Sequence, residues 1–310
     1  MIRSLQPTDL WSLVQFARTP RTNEARPREK LNRSCAETLP PYTVFADWVP
    51  ARGRRYVWVA SDDRQVRGAA SLRRRTGKDA WEIDTLLLDG GDDGLCAELL
   101  ERVGMTAGAQ GVQRVFLRLD SESPLVPEAV RAGFVAYQKE RLLRACASPS
   151  VSAAPSVPAG LRLRAACDDY PLFRLFQAAV PSGVQAAEGA TCKEWQATRE
   201  KGWGQGRRSE FVYEGAGQLD GWLRVTGAST CGYLDILVRP NEEAVAGVLA
   251  DFGCQRLAGK ECLLSLVRES DAAVLHALRE HGFEEREEYV TLVKHVAARV
   301  RAPCFIPAGA

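Results

Sequence analysis

Histidine, methionine and lysine are scarce in this 310-residue chain: three His, two Met and only seven Lys among 41 basic residues. The histidines, His276, His281 and His295, are 5 and 14 residues apart. No i, i+4 pair can therefore set two imidazoles on one helix face, so no metal site is expected. The nine cysteines are an odd count without a single C-x-x-C spacing, which excludes a zinc ribbon and offers no disulfide framework. They read as small apolar residues in a reducing compartment. No apolar run approaches the ~18 residues of a membrane span, and the N-terminus lacks a signal-peptide core. A cytoplasmic protein with no membrane contact is expected. A charge excess is lacking too: 41 basic against 39 acidic residues leaves a formal +2. Aromatics are not interleaved with the basic residues, so no nucleic-acid partner is expected.

What is present is enough chain for two domains at ~150 residues each. Residues 145–160 are small, rich in Pro and Ser and without periodicity, which reads as a linker. It divides residues 1–144 from 161–296 and leaves 297–310 as a tail. The two halves repeat. Ile2-Arg3 leads through Asp9 to Leu10, Leu13, Val14 and Phe16, and Leu163-Arg164 leads through Asp169 to Leu172, Phe173 and Phe176. Hairpins follow at Tyr56 to Ala69 and at Phe211 to Trp222, with Gly68 and Gly221 in equivalent places. A strand from Ile83 to Leu88 matches one from Leu234 to Val238, each passing through a polar turn into a helix with apolar residues at i, i+3, i+4 spacing. A further strand and helix end at Gly133-Phe134 and at Gly282-Phe283, glycine being the usual left-handed helix cap. The order holds while the offset drifts one way from about 160 to 149, as a duplication predicts.

Three consecutive strands before the central helix, with Gly-Phe after the second, resemble the GNAT superfamily of acyl-CoA-dependent N-acyltransferases. The resemblance covers both halves. It implies an α/β fold of two tandem GNAT-like domains that pack on each other, each a mostly antiparallel mixed sheet flanked by helices. It also implies acetyl-CoA or another acyl-CoA as cofactor and a small-molecule or peptide amine as acceptor. In that family a turn of the form Arg/Gln-x-x-Gly-x-Gly/Ala holds the cofactor diphosphate on helix N-terminal amides. The first half carries Gly91-Asp92-Asp93-Gly94-Leu95-Cys96 there, so the resemblance places the cofactor along Leu86 and Leu88 and over Gly91, Gly94, Leu95 and Cys96. In the second half Glu243 falls on the central glycine and Val245 on the small residue, so the first half is the expected cofactor site. The bland alternative for both turns is a helix start with acids in its first turn.

A carboxylate beside the fourth strand is a common general base in the family. Glu82 and Asp84 stand two apart on one strand face, with Asp235 as the counterpart of Asp84. The alternative is a solvated strand end or a salt bridge to Arg73, Arg74 or Arg75 on the neighbouring hairpin arm. The family's tyrosine acid is replaced by Ala129 and Leu278, and Tyr137 is the nearest substitute. Around Gly202 and Gly206 the sequence imitates a phosphate cradle but precedes a strand, which predicts a mobile loop. Residues 18–55 are basic and proline-rich and read as a solvated irregular loop, whereas the resemblance implies that this region lines the acceptor site, which would suit an anionic acceptor or an acidic partner. Two functions remain open: an acyltransferase, and a tandem scaffold that binds without catalysis.

Overall fold

The computed structural model describes residues 1–6, 9–18, 22–31, 55–62, 65–90, 94–146, 156–200, 202–203 and 206–296. Among them twelve strands form one sheet in the order β1-β2-β3-β4-β5-β12-β6-β11-β10-β9-β8-β7. The first half supplies β1 (Ile2–Ser4), α1 (Leu10–Arg18), β2 (Arg55–Asp62), β3 (Gln65–Arg74), β4 (Ala80–Leu88), α2 (Leu95–Ala109), β5 (Arg114–Asp120), α3 (Leu125–Arg131) and β6 (Val135–Cys146). The second supplies β7 (Leu161–Leu163), α4 (Asp169–Ala179), α5 (Ser182–Glu188), α6 (Cys192–Thr198), β8 (Arg207–Glu214), β9 (Leu219–Gly227), β10 (Cys231–Val238), α7 (Glu243–Arg256), β11 (Cys262–Arg268), α8 (Ala272–Glu280) and β12 (Glu284–His295). Ala145 and Cys146 thus belong to β6 rather than to the connector, of which residues 147–155 lie outside the described chain. The tail 297–310 also lies outside it.

The halves exchange their last strands. β12 pairs antiparallel with β5, β6 with β11, and β6 with β12 at the centre. Core residues move with the exchange: Leu292 of β12 is buried in the first half's core and Leu143 of β6 in the second's. Helices cover both faces, which is why β10 is buried along its whole length and reads as a nearly continuous apolar run.

Two glycine pairs explain why the repeat stands out. Gly133 and Gly282 have φ of 83° and 79°, a conformation that penalises any Cβ. The following amides close the cap, Phe134 N–H to Ala129 O at 3.0 Å and Phe283 N–H to Leu278 O at 3.1 Å. Gly68 and Gly221 let a helix lie on the hairpin: a Cβ on Gly68 would meet Leu99 and Leu95 at 3.1 and 3.2 Å, and one on Gly221 would meet Leu249 and Val245 at 2.7 and 2.9 Å. No described helix is long and apolar enough to cross a membrane.

Candidate functional site

Those glycine contacts fix the register between the halves. Leu95 corresponds to Val245, so Gly91, Gly94 and Cys96 correspond to Asn241, Ala244 and Ala246. This corrects the alignment that set Glu243 and Val245 against the motif. Glu243 is exposed, Val245 is buried, and the central and last places hold alanine. The second turn therefore departs less from the pattern than its acids suggest. The same register sets Thr85, not Asp84, opposite Asp235, because β4 has an irregularity where Ser71 pairs with Thr85 and Leu72 with Ile83. A local insertion of one residue is invisible in an offset that drifts anyway.

In each half the parallel pair beside the central helix opens into a V. β4 meets β5 only from Ala80 to Glu82, and β10 meets β11 only from Cys231 to Leu234. The first slot is filled by the chain itself. Glu24 N–H bonds Leu86 O at 2.9 Å, Arg26 N–H bonds Arg118 O at 2.9 Å, and the Asn23 side chain accepts from Leu86 N–H at 2.8 Å. Asn23 and Lys30 both reach Asp84 O at 3.1 Å. Ala25 is buried in the first half's core. Residues 22–31 thus lie as a plug between β4 and β5, where a solvated loop was expected. The backbone of Leu86, assigned to the cofactor by resemblance, is engaged on both its polar groups. Below it, Leu88, Leu95 and Cys96 line a cavity of about 320 Å³ with Glu24, Asp89 and Glu128. Its one guanidinium, Arg67, is 3.3 Å from Asp89. Burial pushes the Glu24 carboxyl up, and Asp120 adds to it. Such a mouth opposes a diphosphate. Gly94, with φ 130°, caps α2, and Gly91 lies outside the described residues.

The two carboxylates predicted as bases are held within this half. Glu82 accepts from Arg73 at 2.6 Å and from Arg75 at 3.1 Å, while Arg74 lies over the Trp81 ring instead. Asp84 is fully buried and accepts from Ser71 at 2.5 Å. The ion-pair alternative describes Glu82 and, at 4.0 Å from Arg73 Nε, Asp84 as well, and neither carboxylate lines a cavity among those described.

The second slot is open. Leu234 O accepts from Ser265 on β11 at 2.9 Å, whereas Arg239 N–H turns to Asp220 O at 2.9 Å. Alternation along a strand then points the backbone groups of Ile236 and Val238 into the gap, where neither β11 nor any other described segment pairs with them. At the end of the slot no side chain caps α7, so its first amides stay available. On the other face the slot meets a cavity of about 120 Å³ between β10, β11 and α4 to α6.

Six arginines and five carboxylates line that cavity. Glu200, just after α6, accepts from Arg118 at 2.6 Å, Arg28 at 2.7 Å and Arg75 at 3.2 Å. Burial alone would raise its carboxyl, but the three guanidinium groups hold it well below the usual range. Arg118 also holds Glu140 at 2.7 Å. Asp235 accepts from Arg224 Nε at 2.7 Å, from Trp203 Nε1 at 3.0 Å and from Arg28. Burial opposes its charge, and Arg224 and Arg28 outweigh burial, so its carboxyl is lowered. Trp203 is 1% exposed and stacks on Tyr233 at 4.8 Å; of the glycine-rich stretch expected to be mobile, Lys201, Gly204 and Gln205 lie outside the described residues.

Two carboxylates differ. Burial pushes Glu188 up despite Arg268 and Arg75, and pushes Asp271 up despite Arg268. Glu188, the last residue of α5, accepts from Tyr137 Oη at 3.2 Å, and Arg268 lies 3.6 Å from each carboxylate. Tyr137 comes from the exchanged strand β6, so both halves build this site. Sequence reasoning missed Glu188, Arg199 and Glu200, which belong to no motif. The available signal was three tryptophans, Trp195, Trp203 and Trp222, clustered in the second half.

No family model matches the sequence, and no curated protein is significantly similar to it. Its fold is similar to that of solved structures over nearly the whole chain. A tandem GNAT protein from the clavulanic acid biosynthesis pathway aligns with TM-score 0.52 at 15% identity, over 97% of this chain and 99% of that one. A GCN5-related N-acetyltransferase from Sphaerobacter thermophilus aligns with TM-score 0.53 at 16% identity, over 97% of each chain. A putative acetyltransferase from Pyrococcus horikoshii gives TM-score 0.50 at 13% identity, over 97% of this chain and 91% of that one. At these identities the likeness is one of fold: two GNAT-like units sharing a mixed α/β sheet.

Proposed function

We propose that this chain, a tandem GNAT fold, is an acyl-CoA-dependent N-acyltransferase whose second half, not its first, takes the cofactor. The observation that carries the reading is the contrast between slots, one plugged by residues 22–31 and the other open onto a cavity. Ile236 and Val238 would bond the pantetheine amides, and the α7 amides around Ala244 would face the diphosphate. The bound thioester supplies the acyl group. Glu188 takes the proton of an amine held in the cavity, the C–N bond forms as C–S breaks, and the thiolate leaves. Tyr137 positions Glu188.

Calorimetric titration with acetyl-CoA should give one site per chain. Ala244→Glu sets a carboxylate beside the diphosphate at an exposed helix start and should weaken binding at least tenfold, with little change in stability. Two sites per chain, or unchanged affinity in that variant, would remove the reading. A base with a raised pKa is ionised only at higher pH, so the rate should rise with pH through that pKa. Glu188→Gln should lower kcat by about 10²–10⁴-fold and abolish that limb of the profile. Because the folded state favours the neutral carboxyl, its stabilising contribution is lost as pH rises through the folded pKa, and Glu188→Gln should melt above the parent at pH 8.

The second reading, a binding protein without catalysis, rests on Ala129 and Leu278, both fully buried where the family's acid would stand. Acyl transfer to any amine by the purified chain would rule it out.

A further inference from the structure

The cavity has one cation more than its ion pairs use. Arg28, Arg75, Arg118, Arg224 and Arg268 each face a carboxylate that lines it. Arg199 does not. Its one ion pair among the described residues is to Glu210 at 3.9 Å, outside the cavity, and Glu210 is already held by Arg208 and by Arg164 at 3.4 Å. No hydrogen bond leaves the Arg199 guanidinium among the described residues, and Arg224, Arg164 and Arg208 add positive charge around it.

The walls fit this surplus. The Arg199 guanidinium lies 5.1 Å from the Trp195 ring and 6.0 Å from the Trp222 ring, and all three residues line the cavity. The Trp222 indole N–H is buried and has no acceptor among the described residues. The Trp222 donor is thus unmet in a low-dielectric setting, where that is costly, and the partly buried Arg199 guanidinium lines the same cavity without a carboxylate partner there among the described residues. Glu188 lines the same cavity, and Thr198 Oγ1, one residue before Arg199, donates to its backbone carbonyl.

We infer that the cavity binds a small anionic group, a carboxylate or sulfonate, through Arg199 and the Trp222 N–H, beside the amine-accepting Glu188. The inference rests on the reading of the second half as an acyltransferase site and names its substrate class. The anion belongs to one of two reactants: an amino acid serving as acceptor, or the distal carboxylate of a dicarboxylic acyl chain. Fork geometry suits either, because a guanidinium meets a carboxylate through two parallel bonds.

Equilibrium titration of the intact chain with glycine, β-alanine and taurine, against ethylamine as the amine without an anion, reads the acceptor arm without any acyl-CoA. Succinyl-CoA against acetyl-CoA reads the acyl arm. An amino acid should bind at least tenfold tighter than ethylamine, and Arg199→Ala should erase that difference. Where the acyl chain carries the anion, succinyl-CoA should instead exceed acetyl-CoA tenfold, again only with Arg199 present. Arg199→Met keeps the stem over Trp195 and replaces Arg199→Ala if the latter does not fold. The proposal is overturned if neither panel discriminates by charge, or if discrimination survives in a folded Arg199 variant. It separates from the parent reading in one further result: an amino acid bound through Arg199 in a chain that binds no acyl-CoA overturns the transferase and leaves the anion site standing.

Discussion

A chain cut after β6, residues 1–146, should fail to fold alone, while co-expression with residues 156–310 should restore a soluble complex. The cut removes β12 from β5, where seven residue pairs run from Tyr289–Asp120 to His295–Arg114, and leaves β6 without either neighbour. It also removes Val290 and Leu292 from the first half's core, at about 1.5–3 kcal/mol for each large apolar side chain left in water. Against a total stability of about 5–15 kcal/mol the loss of those contacts and of three ladders is decisive. The long bare edge of β5 would add an aggregation template. Size-exclusion chromatography and circular dichroism of each half, alone and together, check this. A monomeric folded 1–146 would mean that β6 can turn back to take the place of β12, and that the exchange is optional.

Nothing in the sequence of β6 or β12 reveals the exchange. Both are twelve-residue strands after a Gly-Phe cap, and each could pair with the strand preceding it in its own half. Strand identity is local, written in Gly133, Gly282 and alternating burial, whereas choice of neighbour is a property of the whole sheet. The duplication was legible for the same local reason: a Cβ at Gly68 or Gly221 would meet helix side chains at 2.7 to 3.2 Å. The slot occupant was not. Ala25 and Asn23 sit in a proline- and arginine-rich stretch whose composition describes a loop, yet loops can bond into an open sheet edge wherever one is offered. The carboxylates singled out on β4 proved to be partners of Arg73, Arg75 and Ser71, because strand alternation shows which face a side chain takes but not what waits there. Glu188 and Arg199 required the fold, since they meet only where α5, α6 and the exchanged β6 converge.

Glu200→Ala should be the most destabilising single change in the cavity, at about 3–5 kcal/mol, the cost of stripping a buried ion pair of one partner. The reason is its geometry: one carboxylate joins Arg28 of the plug, Arg75 at the end of β3 and Arg118 on β5, all from the first half, to a residue of the second. Each guanidinium keeps one carboxylate, Glu140 for Arg118, Asp235 for Arg28 and Glu82 for Arg75, and Arg75 also keeps the Thr198 carbonyl at 3.0 Å, so the excess positive charge is shared among the three. At about 2–4 °C per kcal/mol for a large domain, the melting temperature should drop on the order of 10 °C. The sign with pH follows from the depressed carboxyl. Its stabilising contribution is complete above the unfolded value near 4.5 and is lost as pH falls through the folded value, so parent and variant should converge in strong acid. Urea unfolding at pH 7 and pH 3 measures both effects. A double variant that also carries Arg75→Met should recover part of the loss by removing one of the three guanidinium groups whose shared carboxylate is gone, an outcome that a simple packing role for Glu200 does not produce.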